Sequence, residues 1–183
     1  MTRKIYMVRH GKAAAGFDSA DPGLDALGRS QADEVAKKLL GIGPIRILSS
    51  PLQRTRETAM PLSRAWNRAV QVEVAVAEIP TPAGLSVTER VPWLRSFMSG
   101  SWRDADANLA QWRETVIATL IATSEDSVVF SHFIAINVAL GHVIGDDRVV
   151  IFAPDNCSVT IFETDGVRLK LIERGAAAVT AVG

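Results

Sequence analysis

Short apolar runs alternate along this chain with stretches in which apolar residues recur every three or four positions. Ile5, Tyr6, Met7 and Val8 form a β-prone run at 4–8 that stops on Arg9, His10 and Gly11, followed by a polar loop rich in Gly and Asp. From Ala32 onward, Ala32, Val35, Ala36, Leu39 and Leu40 share one helical face, with Gly41 and Gly43 placed to end it. The stretch "IRIL" at 45–48 predicts a second strand. "SSPLQRTRETAMPLSRAW" predicts a helix with Ser50 as N-cap, Pro51 in the first turn and Pro61 as a kink. Alternation within "VEVAV" predicts a third strand at 72–76.

A region rich in Pro and Trp, at about 79–103, reads as an insertion holding one short helix. Leu109, Trp112, Val116 and Leu120 stripe a long helix that leads into the strand "SVVF", and an apolar helix runs from about Phe133 to Val143. The segment "SVTIFETDGVRLKLIE" alternates on both sides of Asp165-Gly166, as a β-hairpin does. Strand and helix alternate over most of the length, so the expected fold is α/β, a three-layer α/β/α sandwich with a mostly parallel central sheet.

Composition narrows the picture. With 183 residues, 48% of them hydrophobic, the chain can fill a single domain spanning 1–183, with 79–103 as its insertion. Lys plus Arg and Asp plus Glu number 20 each, so no global charge favours nucleic acid or an anionic membrane, and any affinity for anions must be local. No apolar stretch approaches membrane-spanning length, and the N-terminus lacks the long apolar run of a signal peptide. The single cysteine, Cys157, excludes an internal disulfide and the usual zinc or redox spacings, which suits a reducing, cytoplasmic setting. Oligomeric state is not encoded in any of these patterns.

The chemistry gathers where strands end. In open α/β sheets, ligands bind beyond the carboxyl ends of the strands. Here one strand ends in Arg9 and His10, another runs into a helix whose opening turn carries Arg54, and a third ends in His132 at the start of a helix. Two arginines, two histidines and two helix N-termini at one edge describe an anion pocket suited to a phosphoryl group. An imidazole nitrogen can attack phosphorus while arginines neutralise the equatorial oxygens, and no metal or other cofactor is needed. A leaving alkoxide needs a proton, so a carboxylic acid should face the pocket from the far side.

"VRHG", "SSPLQRTRETA" and "VVFSH" occur in the order found in the histidine phosphatase superfamily, the phosphoglycerate-mutase-like group, which the chain resembles over about residues 3–163. The resemblance implies that His10 is the phosphorylated nucleophile, that Arg9 and Arg54 bind the phosphoryl group, and that His132 is the second pocket histidine. It places the proton donor at Glu78, with Glu73 and Glu89 as competitors nearby. The implied partner is a phosphorylated small molecule or a phosphoprotein. The family's mutase-like pattern carries threonine and asparagine where Ala13 and Gly16 stand, which weakens a mutase reading, and commonly glycine where Phe133 stands, which suggests an apolar wall beside the site. "DPGLDALGRSQA" also resembles the segment that follows the nucleophile in many small phosphatases of the family.

Other residues carry plainer expectations. Arg56, two positions from Arg54, faces away from it on a regular helix. His142, about 15 Å along its helix from His132, is no partner for a three-histidine zinc site. Trp93, Phe97, Met98 and Trp102 fit either a lid over substrate or a helix packed on the core. Asn156 suits a turn cap, with a site role as the alternative, and Cys157 suits a small buried position.

Overall fold

The computed structural model describes residues 1–14 and 21–178. Six strands, β1 (Arg3–Arg9), β2 (Arg46–Ser49), β3 (Val70–Val72), β4 (Ser127–Ser131), β5 (Val159–Thr164) and β6 (Leu169–Glu173), form one sheet in the order β3-β2-β4-β1-β5-β6. The pairs β2/β3, β2/β4 and β1/β4 are parallel, whereas β5 and β6 run antiparallel. The α-helices among the described residues are α1 (Ala26–Leu39), α2 (Gln53–Trp66), α3 (Val87–Met98), α4 (Ala107–Ile121) and α5 (Phe133–Ile144).

The period of two along each inner strand builds the layers. Val8, Ile47, Val128 and Phe130 point to one face and pack with Val35, Leu39 and Leu62 of α1 and α2. Ile5, Met7, Leu48 and Val129 point to the other and pack with Val116, Leu120, Ile136 and Leu140 of α4 and α5. Both faces are covered, so β4 is buried at every position, as its unbroken apolar run requires. Each fully buried side chain of this kind contributes about 1.5–3 kcal/mol.

The structure corrects three local expectations. Helix α1 starts at Ala26, well before Ala32, because Asp25 caps it by accepting from the Gly28 amide, so "DALGRSQA" is mostly helical. The third strand covers Val70–Val72 rather than 72–76. A 3₁₀ turn at Val74–Val76 follows it, held by Glu73 accepting from the Ala75 amide. Val72 and Val74 stand exposed at the sheet edge while Val76 is buried, so one alternating pattern serves two different structures. Ser50 does not cap α2: the helix begins at Gln53, and Leu52 occupies the cap position with no side-chain bond. Pro61 lies inside α2, which continues to Trp66 and ends on Asn67 in the left-handed conformation.

The aromatics of 79–103 pack on the core. Helix α3 opens with a reciprocal Ser86/Glu89 capping box, and Trp93, Phe97 and Met98 lie against the α4/α5 core. Trp93, Phe97, Trp102 and Trp112 form a continuous ring ladder with centroids 5.3–6.0 Å apart. The C-terminal hairpin turns through Asp165, whose carboxylate accepts from the Val167 and Arg168 amides, and Gly166 at φ 91°. No helix among the described residues is long and apolar enough to cross a membrane.

Candidate active site

Strands β2, β4 and β1 are neighbours and parallel, so their carboxyl ends lie side by side. Arg9 is in register with Ser131, and Ser49 with Phe130. The residues that follow, His10, Ser50 and His132, therefore emerge together, with β4 and its histidine in the middle.

His10 is buried and held at both ends. Its amide donates to Ser131 O (3.1 Å), its carbonyl accepts from Asn156 Nδ2 (2.9 Å), and its Nδ1 lies 2.7 Å from Gly11 O. A carbonyl only accepts, so Nδ1 carries the proton and the lone pair sits on Nε2. Arg54 Nε donates to that Nε2 at 3.3 Å. Burial, with the nearby charges of His132, Arg54 and Arg9, pulls the His10 pKa down to about 3 even though the Gly11 bond opposes the shift. The imidazole is thus neutral at physiological pH.

The residue whose carbonyl orients His10 is itself anchored through its amide. Gly11 N donates to Thr58 Oγ1 (3.0 Å), and that hydroxyl donates to Arg54 O (2.6 Å). One face of α2 therefore reaches the histidine through the Arg54 guanidinium and fixes its neighbouring peptide through Thr58. Position 11 also requires glycine: a Cβ there would meet Gly28 O of α1 at 2.6 Å.

His132 is completely buried. Its Nε2 lies 2.8 Å from Ser50 Oγ, and its Nδ1 lies 3.4 Å from Arg54 Nη2 and 3.5 Å from Glu78 Oε2. Burial first, then Arg54, Arg9 and Arg90, hold its pKa well below the ordinary value. The His10 and His132 ring centroids are 5.3 Å apart. Glu78 completes the cluster, with Oε2 3.5 Å from Arg54 Nη2 and Oε1 accepting from the Ile79 amide. Its competitors are engaged elsewhere, Glu73 in the 3₁₀ turn and Glu89 in the α3 capping box.

Arg9 lies at the rim of this group. Nη1 donates to Pro154 O (2.8 Å), the guanidinium rests 5.2 Å above the Phe133 ring, and Nε has no partner among the described residues. Phe133, expected as an apolar wall, is the platform on which Arg9 lies. Burial pulls the Arg9 pKa down, while Glu78 and Asp155 oppose the shift.

The donor atoms of His10, Glu78 and His132 lie within 4.8 Å of one another, a set that could hold a metal ion. Arg54 approaches each of the three at 3.3–3.5 Å, so a fixed cation already lies against every member of the set.

Ser50, Thr58 and Asp21 were not foreseen as site residues. The signal for Thr58 was available, because it lies four positions after Arg54 on the same helical face. Asp21 accepts from the Gln53 amide at the start of α2 and stands 3.7 Å from Arg54 Nη1. Arg56 is exposed, as is His142 in the last turn of α5. Asn156 supports the His10 carbonyl directly. Cys157 is part-buried at φ 56°, and burial pushes its thiol up to about 12. Ala13 pairs with Leu24 in an isolated bridge; Gly16 lies outside the described residues.

The fold is that of known phosphatases. A mycobacterial glucosyl-3-phosphoglycerate phosphatase superposes with a TM-score of 0.74 at 20% identity, over 97% of this chain and 100% of that one. A phosphoserine phosphatase from Entamoeba histolytica, solved with 3-phosphoglyceric acid, gives 0.70 at 21% identity over 96% and 98%. Among curated proteins, the "Probable phosphoglycerate mutase GpmB" of Proteus mirabilis (strain HI4320) is 27% identical over 162 residues, 78% of this chain and 75% of that one. Residues 5–176 match the histidine phosphatase superfamily (branch 1), and the chain belongs to that family.

Proposed function

We propose that this chain is a metal-independent phosphatase that works through a phosphohistidine on His10. The observation that carries the reading is the orientation of that ring: Nδ1–H is spent on Gly11 O, and a neutral Nε2 lone pair faces the Arg54 guanidinium. A nucleophile must be unprotonated and aimed, and this imidazole is both. Nε2 attacks phosphorus as the P–O bond to the leaving group breaks. Arg9, Arg54 and His132 bind the phosphoryl oxygens and stabilise the charge they carry in the transition state. Glu78, in its acid form, gives the departing alkoxide a proton. As carboxylate it then takes a proton from the water that attacks the phosphohistidine, which releases phosphate and restores Nε2.

The substrate in this reading is a phosphorylated small molecule or a phosphoprotein, met in a reducing cytoplasmic setting. The names of the mycobacterial and Entamoeba neighbours favour small phosphomonoesters. Residues 1–183 act as one histidine-phosphatase domain, with 79–103 as an insertion. The Proteus relative's name raises a mutase as the second reading. Ala13, without the hydroxyl of the mutase-like pattern, argues against it.

The test is phosphate release from an aryl phosphate in EDTA, comparing wild type with His10→Ala. Release that persists in EDTA and vanishes in the variant is expected, with an acid-labile phosphoenzyme trapped in a single turnover. Full activity in His10→Ala would refute the mechanism. Interconversion of 3- and 2-phosphoglycerate outpacing phosphate release would favour the mutase.

A further inference from the structure

The mechanism asks a neutral, fully buried histidine to donate a hydrogen bond to a phosphoryl oxygen. His132 can do so only if its proton sits on the nitrogen that faces the pocket, Nδ1. The other nitrogen, Nε2, is 2.8 Å from Ser50 Oγ. Two tautomers fit that distance, because a serine hydroxyl both donates and accepts.

The surroundings of Ser50 choose between them. Its side chain is completely buried, and Oγ already accepts from the Leu52 amide at 3.3 Å. Among the described residues, the only other hydrogen-bond partner of Oγ is His132 Nε2. If Nε2 carried the proton and donated to Oγ, the hydroxyl proton of Ser50 would be buried with no acceptor, an arrangement that folded proteins avoid. If the hydroxyl donates to Nε2, every group on that side is satisfied and the ring proton moves to Nδ1. The opposing consideration is Arg54 Nη2, a donor 3.4 Å from Nδ1. That contact is long, and the Glu78 carboxylate, whose charge favours a proton on Nδ1, stands at a comparable 3.5 Å on the same side. A phosphoryl oxygen entering there would accept from both Nη2 and Nδ1–H.

We propose that Ser50 is a positioning residue whose hydroxyl donates to His132 Nε2, locking His132 as the Nδ1–H tautomer and so making an uncharged histidine a phosphate donor. The tautomer is a property of the free protein; its use in turnover rests on the phosphatase reading above. Ser50 thus has the role its place next to α2 concealed. It sits two residues before the cap of α2 and serves a ring at the end of another strand instead.

The experiment is a long-range proton–nitrogen correlation spectrum of uniformly ¹⁵N-labelled protein at neutral pH. With only three histidines in the chain, His132 is assigned by the signals lost in His132→Gln. The expected wild-type pattern is a protonated Nδ1 and a bare Nε2 at His132. Ser50→Ala should shift the proton toward Nε2 and lower kcat/KM for an aryl phosphate about a hundredfold, the scale of one preorganised donor. A wild-type His132 with the proton on Nε2, or on both nitrogens, would overturn the proposal, as would an unchanged tautomer in Ser50→Ala. The wild-type spectrum decides even if Ser50→Ala fails to fold. An Nδ1–H His132 in a protein that hydrolyses no phosphomonoester would uphold the tautomer and refute the phosphatase reading.

Discussion

Acidification from about pH 7.5 to about pH 5 should cost the folded chain about 2 kcal/mol through His10 alone. In the unfolded chain the ring titrates at its ordinary 6.5, whereas in the folded protein its pKa is pulled down to about 3. The folded-state value is the lower one, so its contribution is present in full above the unfolded pKa and is lost as pH falls toward the folded one. Below pH 6.5 the unfolded state binds a proton that the folded state refuses, at about 1.4 kcal/mol per pH unit. Over the one and a half units from 6.5 to 5 that makes about 2 kcal/mol. Carboxylates titrate in the same window, so the measurement is a comparison: urea unfolding of wild type and His10→Asn at both pH values, the asparagine amide keeping a donor for Gly11 O. The variant should lose about 2 kcal/mol less than wild type on acidification. Equal losses in the two proteins would refute the argument that burial and the facing cations keep His10 neutral.

Three further outcomes follow from the same geometry. Thr58→Val leaves the Gly11 amide buried without its acceptor; it should destabilise the fold by about 1–3 kcal/mol in urea unfolding and lower kcat/KM, and unchanged turnover would mean that the amide bond to Thr58 does not help to place His10. Glu78→Gln should reduce kcat/KM for alkyl phosphates about 10²- to 10⁴-fold while sparing p-nitrophenyl phosphate, whose phenolate leaves without a proton; equal losses on both would remove Glu78 as the acid. Gly28→Ala should destabilise by about 1–3 kcal/mol despite alanine's better helix propensity, because its Cβ would collide with the Lys12 backbone, and thermal melting that shows stabilisation would refute the close approach.

The parts of the structure readable from the sequence are those where one local rule coincides with the tertiary demand. The run ending at His10 is apolar because β1 is buried on both faces, and it stops where the sheet edge meets the pocket. The errors arise where a residue serves a partner remote in sequence. Gly28 looks like a loop residue, yet it lies in the first turn of α1 because the Lys12 backbone passes too close for a side chain. Ser50 has a cap residue's chemistry, but it stands two positions before the cap and its hydroxyl belongs to a histidine 82 residues away. Val72, Val74 and Val76 alternate as a strand would, and only the burial of Val76 distinguishes turn from strand. Asp21 gave no periodic signal at all, since a carboxylate that approaches both a helix start and Arg54 is defined only by the assembled fold.

The position of β1 in the sheet has a consequence for how the molecule is made. Its neighbours are β4 and β5, so Ile5 pairs with Ser127 on one side and Phe162 on the other. As the chain leaves the ribosome, the strand bearing His10 must wait, unpaired and apolar, for more than 120 residues of synthesis before its first partner exists, and longer for its second. Helices α1 and α2 can form early, but the side-chain cluster at the strand ends cannot. Phosphate-handling capacity is therefore among the last properties the nascent chain acquires, and a ribosome-stalled fragment ending before Ser127 would carry His10 with no site around it.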